Sequence, residues 1–252
     1  MADHPSFATP PDSVQPVPRR IRGQLDGLVV FDTTRALYVW EHGRYPQYYV
    51  PIDDVLQDLL VPEGHTQKSA WGTLETHGLK SGGEYRNRVA KVVIESADER
   101  LVNTVRFNWD ALDAWFEEDE QVHVHPRNPY VRVDALRSTR SVRIELNGEV
   151  IAETFSPVLV FETGLPTRYY INRTDVEFDY LVPSDTETAC PYKGVTSQYW
   201  SADIDGTTVD DIAWVYDYPY TAVAPIAGLV AFYNEKVDIY VDGHPVERPT
   251  GR

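Results

Sequence analysis

Between residues 142 and 152 apolar and polar positions alternate, with Val142, Ile144 and Leu146 set against Arg143, Glu145 and Asn147. A period of two is that of a half-buried strand, because successive side chains leave opposite faces of the pleat. Asn147-Gly148 supplies the positive φ angles of a tight hairpin turn, and Val150 and Ala152 carry the return strand. Asp26-Gly27 plays the same part earlier in the chain. Segments 158–161, 168–171, 197–200, 212–216 and 237–241 are rich in β-branched and aromatic residues and are punctuated by Gly, Pro, Asn or Asp, so they too are predicted strands. Long amphipathic helices are not predicted; short helical pieces are expected over 53–60, 109–116 and 222–229. The pattern reads as mainly β, in small antiparallel domains that are each a curled sheet or an open barrel with a mouth.

The chain carries an internal repeat. At an offset of 121, Leu25-Asp26-Gly27 falls on Leu146-Asn147-Gly148, Glu41 on Glu162, Tyr48-Tyr49 on Tyr169-Tyr170, and Leu60-Val61-Pro62 on Leu181-Val182-Pro183. Residues 25–62 and 146–183 share 15 identities in 38 aligned positions without a gap. Further on, Ala114-Trp115-Phe116 falls on Ala231-Phe232-Tyr233 at an offset of 117, which would make the first copy four residues longer. A unit this long is a domain rather than a solenoid repeat. The expected organisation is a disordered, proline-rich arm over 1–19, a first β domain over 20–126, a linker over 127–139, a second β domain over 140–246 and a tail over 247–252.

Composition narrows the function. With 23 Lys+Arg against 39 Asp+Glu the formal net charge is −16, which repels phosphate backbones and argues against nucleic-acid binding through a general basic surface. A local cationic pocket for a small anion is compatible with that charge. No apolar run approaches the roughly 18–20 residues that span a bilayer, and the first residues lack the basic and apolar regions of a signal peptide, so no membrane partner and a cytoplasmic location are expected. One cysteine, Cys190, allows neither an intrachain disulfide nor a zinc knuckle. His123 and His125 flank one residue of an expected strand, but no third ligand is spaced to join them, so neither a metal nor another cofactor is expected.

The candidate chemistry lies in the second copy. Cys190-Pro191-Tyr192-Lys193-Gly194 falls on Ser69-Ala70-Trp71-Gly72-Thr73, so the first copy lacks both the thiol and the lysine. The first copy also reads Asn108-Trp109-Asp110-Ala111 where the second is expected to have Pro225-Ile226-Ala227-Gly228. An ammonium three residues from a thiol favours the thiolate, the form needed for nucleophilic or redox chemistry, so Cys190 and Lys193 are the candidate catalytic pair. The plainer readings are a small buried Cys190, a surface Lys193 and a core Tyr192. Tyr169, Tyr170, Tyr192, Trp200, Trp214 and Tyr216, with Lys193, are the candidate ligand-binding residues, since rigid aromatic walls hold flat ligands. Tyr169 and Tyr170 must face opposite ways. Glu162, which recurs as Glu41, suits a structural hydrogen-bond anchor better than a catalytic role.

Cys190-Pro191-Tyr192-Lys193-Gly194 after Pro183-Ser184-Asp185-Thr186, then Ala213-Trp214, then the run from Ala224 to Tyr233 and Val237-Asp238, resembles the bacterial family called domain of unknown function four-two-seven, also filed as nucleotidyltransferase-like. The resemblance covers both units and implies a compact β fold of the β-tent kind, with no settled activity. No Rossmann, P-loop or kinase-like glycine pattern accompanies it. Three readings follow. The second domain binds a small planar molecule, anionic where Lys193 acts as its counter-ion. Alternatively the chain is an enzyme that uses Cys190 or Lys193 covalently or transfers a nucleotidyl group. A third is a structural module or homodimer without a ligand. Nucleotidyl transfer needs clustered carboxylates that hold a divalent metal, and Asp203, Asp205, Asp210 and Asp211, though close in sequence, flank Gly206 in what reads as a solvated turn.

Overall fold

The computed structural model describes residues 13–204 and 206–249. The chain divides into two compact units at Asn128 and Pro129. Each unit has one seven-stranded and one four-stranded antiparallel sheet, not closed into a barrel. In the first unit the large sheet runs Val14–Pro16, Leu37–Val39, Gln47–Pro51, Thr104–Phe107, Glu84–Glu95, Gly72–Ser81, Leu60–Ser69. In the second it runs Val133–Arg137, Val158–Glu162, Arg168–Ile171, Val230–Phe232, Thr207–Val215, Gln198–Ile204, Leu181–Ser184. The small sheets are Leu28–Thr33, Ile21–Leu25, Ala114–Glu117, Glu120–Val122 and Glu149–Thr154, Val142–Leu146, Asp238–Val241, His244–Val246. The two orders match strand for strand, so the repeat is a duplicated topology.

Local detail repeats as well. The first hairpin of each small sheet turns on residues with positive φ, Asp26-Gly27 at 52° and 76° and Asn147-Gly148 at 53° and 88°. Two positive φ angles give the turn whose twist matches its strands, which Asp/Asn followed by Gly adopts cheaply. Both hairpins carry a register shift at the same place, after Gly23 and after Ile144. Thr33 and Thr154 each donate from Oγ1 to the aspartate of the following 3-10 turn, Asp54 and Asp175.

The sheet registers correct one expectation from the sequence. Val50 pairs with Val105, and its counterpart Ile171 pairs with Val230. Gly23 pairs with Trp115, and Ile144 with Ile239. The equivalent of Phe107 is therefore Phe232, and Trp115 corresponds to Ile239, an offset of 124 rather than 117. The apparent match of Ala114-Trp115-Phe116 to 231–233 compares strands of different sheets, and that of Asn108–Ala111 to 225–228 fails with it, because the same register places Asn108 on Tyr233. The second copy is the longer one. The expected helical pieces are 3-10 turns at Ile52–Asp54, Trp109–Ala111 and Thr221–Ile226, and 114–117 is strand.

The flanks also differ from expectation. Residues 1–12 lie outside the described residues, but Val14–Pro16 pairs with Leu37–Val39 and Val17 is buried, so the fold reaches into the expected arm. Within the expected linker, Val133–Arg137 is an edge strand paired with Val158–Glu162. In the tail, Arg248 is paired with Asp238, and 250–252 lie outside the described residues.

Both faces of the second unit's large sheet are buried. One packs on the small sheet, where Tyr169, Ile171 and Trp200 meet Val142, Ile144 and Ile239. The other gathers Tyr170, Tyr199, Trp214 and Tyr216 under Val223 and Ile226 of the 3-10 turn. Tyr169 and Tyr170 do face opposite ways, and this second face is where the candidate site lies.

Candidate functional site

The segment that carries the site replaces the outer part of a long hairpin. In the first unit Leu60–Ser69 turns at once into Gly72–Ser81. In the second unit the corresponding strand stops at Ser184, and residues 185–197 intervene before Gln198–Ile204. From Leu60 to its partner Leu79 is 19 residues and from Leu181 to its partner Ala202 is 21, so this segment is a remodelled stretch of nearly equal length; it contains its own small hairpin, in which Cys190 pairs with Gly194. Pro191 presets the turn, the Lys193 N–H donates to Cys190 C=O at 3.3 Å, and Gly194 sits at φ +105°. The Tyr220 N–H donates to Lys193 C=O at 3.0 Å, tying the hairpin to the 217–220 loop.

The hairpin turns Lys193 inward. Its side chain is buried, with the residue 8% exposed, and Nζ donates to Glu162 Oε2. Cys190 Sγ lies 4.0 Å from the same Nζ and is half-buried. Burial by itself would depress the ammonium, but the sulfur of Cys190 and the Glu162 carboxylate outweigh it and hold Lys193 above the usual lysine value. Lys193 is therefore neither a surface residue nor a free counter-ion; its charge is already matched within the protein.

Tyr170, Trp214 and Tyr216 share this face. Tyr170 is fully buried, and its hydroxyl has no hydrogen-bond partner; the Trp214 indole lies close without completing a bond. Burial pushes the Tyr170 phenol up to about 12, with Lys193 pulling it the other way. Burial likewise pushes Tyr216 far up, with Tyr170 and Cys190 adding to the effect. Beside them Tyr199 and Tyr233 share a 3.0 Å hydrogen bond, and Thr188 bonds Tyr199 at 2.8 Å. The structure thus gathers Cys190, Lys193, Tyr170, Trp214 and Tyr216. Tyr169 and Trp200 lie on the opposite face, filling the core between the sheets, and do not join the cluster. Tyr192 is partly buried in the turn.

Sequence reasoning missed two features. Tyr218 is 90% exposed, and its carbonyl lies 3.6 Å from where a Cβ on Gly194 would sit, so a bare aromatic ring stands beside the hairpin. Its place next to the hairpin is invisible along the chain. The second is a groove of about 580 Å3 lined by Val150, Glu153, Thr174, Asp175, Glu177, Asp179 and Tyr180. A smaller groove is lined by Arg137, Ser138, Thr139 and Ser156. Neither groove is lined by Cys190 or Lys193.

The other sequence candidates are structural. Asp211 accepts from Ser184 and Thr186, which hold its carboxyl below the usual range. The strand Glu120–Val122 ends before His123; Val124 has positive φ, and His125 stacks on Tyr45 at 3.7 Å. Among the described residues no group of three or more His, Cys, Asp or Glu side chains is arranged to hold a metal ion.

Fold and site together define a tandem antiparallel β protein in which one copy has a remodelled hairpin with a buried Lys–Glu pair beside a thiol. The chain belongs to the family described as Domain of unknown function (DUF427), short label NTP_transf_9, which matches it twice, over 13–118 and 134–243. The comparison with curated proteins finds no match.

Proposed function

We propose that the second unit binds a small planar molecule at the Cys190–Gly194 hairpin, against Tyr170, Trp214 and Tyr216. The observation that carries this reading is the Tyr170 hydroxyl, buried without a partner beside the Glu162–Lys193 pair. An unsatisfied buried hydroxyl costs about 1–3 kcal/mol, and a ligand acceptor atom placed against it would recover that cost. The first copy supports the assignment by contrast, because there the equivalent Tyr49 hydroxyl donates to Glu41 at 3.0 Å. Since Glu162 already neutralises Lys193, the matching ligand is a flat heterocycle with a hydrogen-bond acceptor at its edge rather than a strong anion. Entry runs past the half-buried Cys190 and Tyr192, where the exposed Tyr218 offers a stacking face.

The test is a thermal-shift and native mass-spectrometry screen of nucleotides, aromatic acids and flat heterocycles. A hit should stabilise the wild type and the Tyr49→Phe variant alike and lose most of its effect in Tyr170→Phe. Hits that stabilise Tyr170→Phe as well as wild type would place binding elsewhere and defeat the proposal. The covalent-enzyme reading has one observation in its favour, the 4.0 Å approach of Cys190 Sγ to Lys193 Nζ. It requires Cys190→Ser to abolish turnover of a bound ligand, whereas binding alone tolerates that change.

A further inference from the structure

We propose that Cys190 and Lys193 form a redox-driven covalent bridge, in which a hydroperoxide oxidises the thiol and the lysine amine then closes on the sulfur to give an Sγ–Nζ sulfenamide. This goes beyond ligand binding and does not depend on it. Cys190 is the one cysteine of the chain, so a sulfenic acid formed there has no second thiol in the same chain to resolve it. A close nucleophile is the Lys193 amine at 4.0 Å, held there by a three-residue turn whose strand pairing and backbone hydrogen bond fix both ends. The thiol is half-buried and so within reach of a small peroxide, while the amine is shielded among buried side chains.

Glu162 and Tyr170 complete the arrangement. The Glu162 carboxylate sits on Nζ and is the base that takes the ammonium proton. The Tyr170 hydroxyl is buried and has no partner, and it lies within the electrostatic field of Lys193, Cys190 and Glu162. It can donate to the oxygen that the oxidised sulfur acquires and then loses. A buried hydroxyl without a partner is what a transient oxygen within its reach would satisfy.

The chemistry balances in two steps. The thiol and the hydroperoxide ROOH give Cys190–SOH and ROH; the sulfur loses two electrons and the O–O bond accepts them. The Lys193 ammonium then gives one proton to Glu162, its nitrogen attacks the sulfur, and the sulfenic hydroxide leaves with a second nitrogen proton as water. The product is Cys190–S–NH–Lys193 with a protonated Glu162. Two equivalents of an external thiol reverse it, restoring the cysteine and the amine and leaving a disulfide of the reductant.

The experiment treats the full chain with hydrogen peroxide, blocks remaining thiols with iodoacetamide and maps the tryptic peptides by mass spectrometry. The expected product is a peptide spanning Cys190 and Lys193 that has lost two hydrogens, resists alkylation, is not cleaved after Lys193 and returns to the starting mass with dithiothreitol. Lys193→Arg keeps a cation for Glu162 but removes the amine. It should raise dimedone-trapped sulfenic acid at Cys190 at least ten-fold and abolish the two-hydrogen loss. If wild-type Cys190 instead gains oxygen, or forms an intermolecular disulfide, while trypsin still cleaves after Lys193, the bridge does not form and the proposal is overturned. That readout needs only the wild type, so it stands even if a variant fails to fold.

Discussion

Glu41 and Glu162 occupy the same position in the two copies, yet their charges are neutralised from different parts of the fold. Glu41 is paired with Arg106 of the strand Thr104–Phe107, with Nε at 3.2 Å, and also accepts from Tyr49. By sheet register the position of Arg106 is Ala231 in the second copy, and the cation comes instead from Lys193 on the Cys190–Gly194 hairpin. The change of partner frees the tyrosine: Tyr49 is bonded, Tyr170 is not. It also carries a thiol to the carboxylate–ammonium pair, which the first copy cannot do.

Removing one member of the buried pair should be costly. Lys193→Met leaves Glu162 without its cation and is expected to destabilise the second unit by about 3–5 kcal/mol, whereas the double variant Lys193→Met/Glu162→Leu should recover most of that loss. Arg106→Met should cost less, because Glu41 is more exposed and keeps its bond from Tyr49. Urea unfolding of the four proteins measures this; equal losses for the Lys193 and Arg106 variants would contradict the burial argument.

Tyr170→Phe should make the ligand-free protein more stable, by about 1 kcal/mol or more, since it deletes a buried hydroxyl that bonds to nothing. Tyr49→Phe breaks a hydrogen bond to a carboxylate and should destabilise by a similar amount. Opposite signs at two equivalent tyrosines are the expected result of a denaturation comparison.

Two glycines with positive φ separate conformational strain from collision. Gly194 has φ +105°, and the nearest atom to an added Cβ is 3.6 Å away, so Gly194→Ala should cost only the backbone strain, about 1–3 kcal/mol. Gly72 has φ +125°, and its Cβ would stand 1.9 Å from the Glu95 carbonyl oxygen, so Gly72→Ala must also move a strand. Gly72→Ala is therefore the more damaging, and a melting curve that reverses the order would rule out the close approach at Glu95.

Alkaline pH should unfold the protein through its buried tyrosines. Burial raises Tyr38 and Tyr170 to about 12, against roughly 10 in an unfolded chain. The folded state thus favours the neutral phenols. Their contribution is complete below pH 10 and is lost as pH rises from there towards 12. Tyrosinate absorbance followed alongside circular dichroism should show these two ionising with unfolding, and Tyr170→Phe should shift the unfolding midpoint upward.

The sequence alone determined the β class, the duplication and the separate faces of Tyr169 and Tyr170, because pleat alternation, Asx-Gly turns and a gapless identity run are properties of neighbouring residues. It also singled out Cys190 and Lys193 through the contrast with Ser69 and Gly72. Only the tertiary structure decided which strands correspond beyond the Cys190–Gly194 hairpin, since an aromatic triplet looks alike whether it lies in Ala114–Glu117 or in Val230–Phe232, and pairing partners separate them. It alone removed Tyr169 and Trp200 from the site, by placing them on the face that the small sheet covers. And it turned Lys193 from an expected ligand counter-ion into the partner of Glu162, 31 residues away along the chain. Charge neutralisation in a buried site depends on which carboxylate the fold brings within reach, and that proximity is a property of sheet register rather than of local sequence.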